Sequence, residues 1–343
     1  MTSPSLMNRG QNQPADLLVV ENLYTEYLSA ETIVHAVNGV SFRIQEGTSF
    51  GLVGESGCGK TATCRSIIRL INPPGRIASG AIYYRGQDLL SLSETRMQAI
   101  RGSEIGMIFQ EPMTALNPVI PIETQITEVL GSALSRPQKR ERAVELLRLV
   151  GIPEPEKRMK EYVHQFSGGM RQRAMIAIAL AREPHLLLAD EPTTALDVTI
   201  QNQILRLLVN LKEQLQMSLL LVTHDLGVVS QICDEVAIMY AGTIVEMCST
   251  LELFDRPRHP YTYGLLNSLP HGKKGSLEPI GGMPPDLTEV LPGCVFAPRC
   301  KYHSADCLDQ TPTLQEIQPG HLVACYHVDQ LADLPSPIRR EGV

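Results

Sequence analysis

No stretch of the sequence stays apolar for long enough to form a membrane-spanning helix. The longest apolar runs, Ala174–Ala181 and Leu186–Ala189, fall far short of the roughly 18 residues that such a helix needs. Residues 1–16 are polar and contain no apolar centre of a secretion signal. We therefore expect no direct membrane span, and expect the chain to serve any membrane process through partners.

The sequence also lacks a surplus of basic residues. It has 30 Lys and Arg against 37 Asp and Glu, a formal net charge of −7. Proteins that bind nucleic acid usually carry a basic surplus that neutralises phosphates, so this charge argues against nucleic acid as a partner. Eight cysteines occur without a secretion signal. That combination favours reduced thiols or metal ligands over disulfides.

Changes of pattern divide the chain into three parts. Residues 1–16 are predicted to be a disordered lead. Residues 17–253 alternate apolar strands with helices, which is typical of a parallel sheet with helical crossovers, and about 111–165 within them are helical. The helical spacing there predicts two apolar faces, one of Ile122, Ile126, Val129 and Leu130 and one of Ala143, Leu146, Leu147 and Val150. Residues 254–343 hold 12 of the 24 prolines, so we expect a small, loop-rich C-terminal region there.

A phosphate-binding loop is the strongest single signal. Residues 54–61 read GESGCGKT, between a predicted strand and a predicted helix. In this pattern the glycines let backbone N–H groups face the phosphates, the lysine reaches the β- and γ-phosphates, and the hydroxyl ligates Mg²⁺. The residues expected to contact ATP are Gly54, Glu55, Ser56, Gly57, Cys58, Gly59, Lys60 and Thr61.

Two acids end a later apolar strand. The run Leu186–Ala189 is followed by Asp190 and Glu191. Ligands bind at the carboxyl ends of buried parallel strands, so we expect Asp190 to hold Mg²⁺ and Glu191 to polarise the attacking water. Without the phosphate loop, solvated acids at a strand end would explain the pair equally well.

Three further signals are weak when each is taken alone. Ser167, Gly168 and Gly169 precede a predicted helix and fit an ordinary helix cap. Gln110 and His224 each follow an apolar strand, where a polar residue with no catalytic role is common.

The order of the motifs resembles that of the ABC ATPases. GESGCGKT, MIFQEP, SGGM, LLLADE, TTALD and VTHDL occur in that order and span most of residues 17–330. The resemblance implies an α/β fold: a phosphate-loop NTPase core with an antiparallel β subdomain, a helical subdomain inserted at about 111–165, and a small cysteine-containing C-terminal region. Met170 stands where the commonest signature motif has Gln, and the peptide-importer branch often carries Met there.

The resemblance also implies roles for residues outside the phosphate loop. Gln110 corresponds to the glutamine that senses Mg²⁺, and His224 to the histidine that holds the γ-phosphate. Ser167, Gly168 and Gly169 correspond to the signature motif, which binds ATP held by a second subunit. Asp197 corresponds to the aspartate at the dimer interface, and Tyr27, with Tyr24 as the alternative, to the aromatic residue that stacks on adenine.

Within the superfamily the chain resembles the dipeptide and oligopeptide importer ATPases. The marks are EPMTALNP (111–118), RHPYTYGLLNSLP (258–270) and GCVFAPRC (293–300). The resemblance implies ATP hydrolysis on the cytoplasmic face of the inner membrane. It also implies as partners a second ATPase subunit, expected to be a paralogue, two transmembrane permease subunits and an external substrate-binding protein.

Other functions stay open at this point. The same role could serve import of nickel, glutathione or antimicrobial peptides. A soluble ABC protein of translation or DNA repair is the rival class, although the chain has one ATPase unit and no sustained heptad run. A metal-regulated binding module with a vestigial ATPase is a third reading, and the presence of Glu191 and His224 argues against it.

Half of the cysteines lie within 32 residues near the C-terminus: Cys294, Cys300, Cys307 and Cys325. Four thiolates suit either Zn²⁺ or an iron–sulfur cluster, and the spacing lacks the close pairs of zinc ribbons. The alternative is that these cysteines are separate buried thiols with no metal-binding role. The family resemblance implies a [4Fe–4S] cluster.

Two further expectations concern the relation between these sites. Cys58 lies beside Lys60 at a helix N-terminus, so we expect a lowered pKa and ready alkylation in the nucleotide-free protein. We also expect the C-terminal region to be separate from the phosphate-loop core, so that disturbing the cysteines leaves ATP binding intact.

Overall fold

A computed structural model describes residues 16–29, 31–194, 196–269, 280–289 and 291–332. The predicted disordered lead lies outside these residues except for Asp16, which begins the first strand. The strands are β1 Asp16–Leu28, β2 Ile33–Gln45, β3 Ser49–Val53, β4 Gly75–Tyr84, β5 Gln87–Asp88, β6 Ile105–Ile108, β7 Leu186–Asp190, β8 Ser218–Thr223, β9 Glu235–Tyr240, β10 Thr243–Ser249, β11 Gln315–Gln318 and β12 His321–Val323. The helices are α1 Lys60–Ile67, α2 Glu94–Ile100, α3 Pro112–Ala115, α4 Ile122–Val129, α5 Arg136–Leu149, α6 Pro155–Arg158, α7 Gly168–Ala179, α8 Val198–Leu215, α9 Leu226–Ile232, α10 Thr250–Asp255, α11 Pro260–Asn267, α12 Ala305–Asp309 and α13 Val328–Ala332.

The larger sheet carries the functional core. Its order is β11-β12-β10-β9-β3-β8-β7-β6, and the five strands from β9 to β6 run parallel. Every residue of β3, β7 and β8 is buried, as expected for parallel strands covered on both faces. Their carboxyl ends therefore meet at one edge, which is where the motif residues lie.

A second sheet is antiparallel, in the order β2-β1-β4-β5. Along β2 every second residue, Val40, Phe42 and Ile44, is buried, the alternation of a sheet with one face against the core. The Phe42 ring stacks on Phe50 of β3, with ring centroids 5.1 Å apart. The predicted antiparallel subdomain is thus confirmed and packs on the larger sheet.

The predicted helical insertion between β6 and β7 is also confirmed. A capping box of Ser135 and Gln138 begins α5. The predicted apolar face of α5, Ala143, Leu146 and Leu147, is buried. The predicted face of α4 is partly wrong, because Ile122 and Ile126 are buried whereas Val129 is exposed. Across the described residues, no helix is both long and apolar enough to cross a membrane.

The C-terminal region adds two strands to the larger sheet. β12 pairs antiparallel with β10, and β11 pairs with β12. A buried side-chain contact at hydrogen-bond distance joins β12 to β10, with His321 Nε2 2.8 Å from Glu246 Oε1. The Glu246 carboxylate also accepts the backbone N–H groups of Arg258 and His259, at 2.6 and 3.0 Å. One fully buried carboxylate therefore organises the start of this region.

We expect Glu246→Gln to lower the free energy of unfolding by about 1–3 kcal/mol. The amide N–H₂ of the new side chain would face an N–H group that now donates to the carboxylate, and that N–H group would lose its acceptor. Urea unfolding followed by circular dichroism measures the change. Glu145→Gln, at a half-exposed position on α5, is the control and should change stability by less than about 0.5 kcal/mol. Equal stability of the two variants would contradict the role given to Glu246.

Candidate functional site

The phosphate loop joins β3 to α1 and has room only for glycine at two positions. A Cβ on Gly54 would lie 2.1 Å from the Met239 carbonyl oxygen. Gly59 has φ +103°, and a Cβ there would lie 2.1 Å from the Ala36 carbonyl oxygen. The backbones of β2 and β9 therefore pack closely against the loop, and this packing restricts the backbone conformation of the loop.

The Lys60 ammonium closes the loop from inside. It donates to the carbonyl oxygens of Gly54 and Glu55, both at 2.8 Å, and the residue is only 4% exposed. Ser56 and Gly57 form the exposed rim above it. The arrangement places a buried positive charge in a glycine-rich loop at the N-terminus of α1, which suits an anion with several phosphates.

Thr61 and Asp190 form a pair suited to Mg²⁺. Thr61 Oγ1 donates to Asp190 Oδ1 at 2.9 Å. Asp190 is fully buried, and within the described part of the chain its Oδ2 has no hydrogen-bond partner. Burial raises the pKa of Asp190, and the Thr61 hydrogen bond offsets part of that rise. A buried carboxylate oxygen without a partner beside a hydroxyl is a donor set that hard cations prefer.

Glu191 brings three strand ends together. Its Oε2 accepts from Gln110 Nε2 at 3.1 Å and from Thr194 Oγ1 at 2.8 Å, and its Oε1 lies 3.5 Å from His224 Nδ1. Gln110 follows β6, Glu191 follows β7 and His224 follows β8. The structure thus collects the three predicted catalytic residues around one carboxylate.

The backbone of Glu191 is left-handed, with φ 45°. This conformation is unfavourable for a residue with a side chain and persists where the surroundings impose it. The Glu191 N–H bonds to the Val222 carbonyl at 2.9 Å, which fixes the turn. Sequence reasoning missed Thr194, whose hydroxyl also holds Glu191. Its signal is a threonine three residues after the acid, within the TTALD motif.

The signature residues and Asp197 lie at the starts of two helices. Ser167 Oγ accepts from Met170 N at 3.3 Å and caps α7, whose first residues are Gly168 and Gly169. Asp197 accepts from Ile200 N at 2.9 Å and caps α8. Ser167, Gly168 and Asp197 are exposed, so this surface is accessible to another molecule.

The two candidate adenine contacts differ in their surroundings. Tyr27 is partly buried and its ring packs over Gly75. Tyr24 is exposed, and its hydroxyl lies beside Gly39. The stacking role of Tyr27 remains a prediction.

The expectation for Cys58 is wrong. The residue is 5% exposed and lies beneath the loop. Burial raises its pKa, and the nearby Lys60 ammonium offsets only part of the rise. A buried thiol with a raised pKa is unreactive. The sequence places Cys58 beside a cation and a helix start, but it does not reveal that the side chain points into the core.

The four C-terminal cysteines line one pocket, together with His303 and His327. Two of the sulfurs accept backbone N–H groups, Cys300 from Tyr302 at 3.4 Å and Cys325 from His327 at 3.3 Å, and the Cys307 sulfur lies 3.7 Å from the Ser304 hydroxyl. Burial raises the pKa values of Cys294 and Cys300, and that of Cys325 to about 12. The sequence therefore correctly grouped these residues.

The spacing of the sulfurs bears on the kind of metal. A single Zn²⁺ with Zn–S bonds of about 2.3 Å draws four sulfurs to within about 4 Å of one another. Among the described residues, the group of three or more ligand atoms within 4.8 Å is instead Glu246, Cys248 and His321, all buried. Two of these, Glu246 and His321, are already hydrogen-bonded to each other. Among the described residues, no such group contains the four pocket cysteines.

Two family models match the sequence. The model described as ABC transporter matches residues 37–194, and the model described as oligopeptide/dipeptide transporter, C-terminal region, matches residues 245–307. The first covers the phosphate loop, Gln110, the signature and Glu191. The second covers Arg299 and three of the four pocket cysteines.

Curated relatives match over nearly the whole chain. A "Probable peptide ABC transporter ATP-binding protein" of Sinorhizobium fredii is 48% identical over 96% of this chain and all of its own length. The oligopeptide transport ATP-binding protein OppD of Bacillus subtilis is 49% identical, over 90% of this chain and 87% of its own length. The dipeptide transport ATP-binding protein DppD of the same organism is 46% identical, over 92% and 96%.

Solved structures match the core. The dimeric ATP-binding cassette MJ0796, bound to ADP and phosphate, has a TM-score of 0.61 and 28% identity, over 68% of this chain and 98% of its own. CbiO1 of Clostridium perfringens, part of an ABC transporter complex, has a TM-score of 0.60 and 27% identity, over 70% and 90%.

We expect Asp190→Asn to stabilise the nucleotide-free protein by about 1 kcal/mol while abolishing the additional stabilisation by Mg-ATP. Folding raises the pKa of Asp190, so the fold favours the protonated form and the carboxylate destabilises it at neutral pH. Thermal unfolding with and without Mg-ATP measures both effects. A variant that is less stable without nucleotide, or that still gains stability from Mg-ATP, would contradict this assignment.

Proposed function

Because this chain belongs to the ABC transporter family of ATP-binding subunits, in the branch with an oligopeptide/dipeptide transporter C-terminal region, we propose that it hydrolyses ATP to power the import of peptides. The observation that carries the proposal is the cluster around Glu191, where three strand ends place Gln110, Glu191 and His224 beside Lys60, Thr61 and Asp190. The names of the relatives support peptides as the cargo.

In the proposed mechanism the phosphate loop holds the nucleotide. Lys60 exchanges its two carbonyl partners for phosphate oxygens, and the N–H groups of the loop and of α1 bind the remaining oxygens. Thr61, Asp190 and Gln110 would hold Mg²⁺, which would supply charge neutralisation when bound.

Hydrolysis depends on the carboxylate of Glu191. Its partners Gln110 and Thr194 hold it in place from one oxygen, while the other oxygen lies 3.5 Å from His224 Nδ1. Glu191 accepts a proton from the attacking water, and the exposed His224 contacts the γ-phosphate.

The exposed signature residues fit a site completed by a second subunit. Ser167, Gly168 and Gly169 at the start of α7 offer backbone N–H groups and a helix N-terminus to a γ-phosphate held by the partner's loop. Asp197 lies at the same surface. We assign residues 17–253 to the ATPase domain and 254–343 to the C-terminal region. The partners are a paralogous ATPase, two permease subunits and an external binding protein, with this chain on the cytoplasmic face of the inner membrane.

For the cysteine pocket we propose a [4Fe–4S] cluster held by Cys294, Cys300, Cys307 and Cys325. Four thiols line one pocket, and backbone N–H groups donate to two of the sulfurs, as hydrogen bonds do in iron–sulfur proteins. When bound, the cluster supplies four iron–thiolate bonds that hold a proline-rich segment together.

We expect Glu191→Gln to bind ATP with near-normal affinity and to hydrolyse it about 10²–10⁴-fold more slowly, because the general base is lost. It should also accumulate an ATP-bound dimer. Steady-state phosphate release with reconstituted permease subunits, and size-exclusion chromatography with Mg-ATP, measure these effects. Glu213→Gln, on the exposed face of α8, is the control. Near-normal turnover by Glu191→Gln would refute the assignment.

We expect anaerobically purified protein to be brown and to contain about four iron and four sulfide per chain, as the cluster type requires. Cys300→Ser should lose most of the iron, whereas Cys233→Ser, outside the pocket, should retain it. Iron and sulfide analysis with visible absorption measures the content. Colourless protein with one zinc would replace the cluster by a zinc site, and metal-free protein would refute both.

A further inference from the structure

One arginine ties the C-terminal region to the phosphate loop. Arg299 lies beside Cys300, and its Nη1 and Nη2 donate to the two carboxylate oxygens of Glu55 at 2.9 and 3.1 Å. The Arg299 side chain is 6% exposed. Glu55 is the second residue of the loop, and the pair joins positions 244 residues apart. This contact contradicts the expectation that the C-terminal region is separate from the loop.

Arg299 uses all five of its N–H donors. Besides the Glu55 pair, Nη1 donates to the Tyr240 hydroxyl at 3.2 Å, Nε to the Gly281 carbonyl at 2.9 Å, and Nη2 to the Ile280 carbonyl at 3.4 Å. A guanidinium has five donors in a planar fork, and a lysine ammonium has three without that shape. The position is therefore built for arginine.

A second contact reinforces the first. The Glu55 N–H donates to the Tyr261 hydroxyl at 3.1 Å. The Tyr261 ring packs on Tyr240 and Phe296, with centroids 4.6 and 5.4 Å away. Phe296 also lines the cysteine pocket. Packed rings and hydrogen bonds thus form a continuous chain of contacts from the cysteine pocket to the phosphate loop.

The charge of Glu55 explains why the loop needs this support. A carboxylate in a loop that receives a triphosphate repels the ligand, because like charges interact strongly where water is partly excluded. The fork of Arg299 neutralises that charge and also turns the Glu55 side chain toward the C-terminal region. Without Arg299 the loop would carry an unpaired negative charge at its start.

We propose that Arg299 is a positioning residue that holds the phosphate loop in its nucleotide-binding shape through Glu55, and that it couples ATP binding to the cysteine pocket. The inference rests on the proposed function, in which this loop binds ATP. Coupling between two sites is reciprocal, so Mg-ATP stabilises the segment around the pocket to the same extent that an intact pocket strengthens ATP binding.

Variants at the pair test the positioning role. Arg299→Gln should weaken Mg-ATP binding by about tenfold, or about 1.4 kcal/mol, and Arg299→Lys should recover part of the affinity. Adding Glu55→Gln to Arg299→Gln should restore most of it, because the unpaired charge is then removed. In ATPase assays KM should rise more than kcat falls, since Arg299 does not touch the attacking water. Isothermal titration calorimetry measures affinity.

Alkylation of Cys58 reports on the loop itself. The thiol is shielded beneath the loop, so Arg299→Gln should raise its maleimide labelling, as measured by peptide mass spectrometry, and Mg-ATP should suppress the increase. Arg148→Gln is the matched control, because it breaks an ion pair with Glu156 in which both side chains are exposed. It should change neither the labelling of Cys58 nor the affinity for Mg-ATP. A purely structural role far from the loop would not expose Cys58.

Hydrogen–deuterium exchange of the wild-type protein tests the coupling without any variant. Mg-ATP should slow exchange in residues 293–307. Unchanged exchange there, or an Arg299→Gln variant with wild-type affinity and a shielded Cys58, would overturn the inference. If the wild-type protein failed to bind Mg-ATP and Lys60→Ala made no difference, the proposed function would fail instead. The two failures are therefore distinguishable.

Discussion

The site depends on placing two acids at the end of one buried strand. Asp190 is fully buried with one oxygen unpartnered, and Glu191 adopts a left-handed backbone in the next position. Both features are unfavourable in the nucleotide-free protein. They persist because the parallel strands on either side hold the turn in place, and because Thr61, Gln110 and Thr194 bond to the carboxylates. Stability is lower at the point where a cation and a phosphate are to bind.

Local patterns predicted the parts of the site that lie close in sequence. The phosphate loop, the acidic strand end and the polar residues after β6 and β8 are each short, and the carboxyl ends of parallel strands meet by geometry. Helical periodicity likewise predicted the helical insertion, whereas the antiparallel subdomain was implied by the resemblance to the ABC ATPases. Thr194 was available by the same reasoning, since its hydroxyl follows Glu191 by one turn.

Local sequence patterns did not predict the direction of side chains or the contacts between residues far apart in the sequence. Cys58 has the neighbours of a reactive thiol in sequence, yet it points under the loop, where burial outweighs the cation. Val129 shares the period of a buried face but lies at the end of α4, where the face turns to solvent. Glu55 and Arg299 are 244 residues apart, and no sequence pattern in either segment predicts that they are in contact.

The composition of the chain changes near residue 254, but strand pairing and hydrogen bonds connect the parts before and after that residue. The C-terminal segment contributes β12 to the larger sheet, a buried histidine to Glu246, a hydroxyl to the Glu55 N–H and a guanidinium to the Glu55 carboxylate. An exposed ion pair would add little, whereas this bidentate pair is partly buried and is costlier to break, above all from the side of the buried Arg299. Since one member of that pair belongs to the phosphate loop, any rearrangement near Cys300 must either keep the fork of Arg299 in place or leave a carboxylate uncompensated where the nucleotide binds.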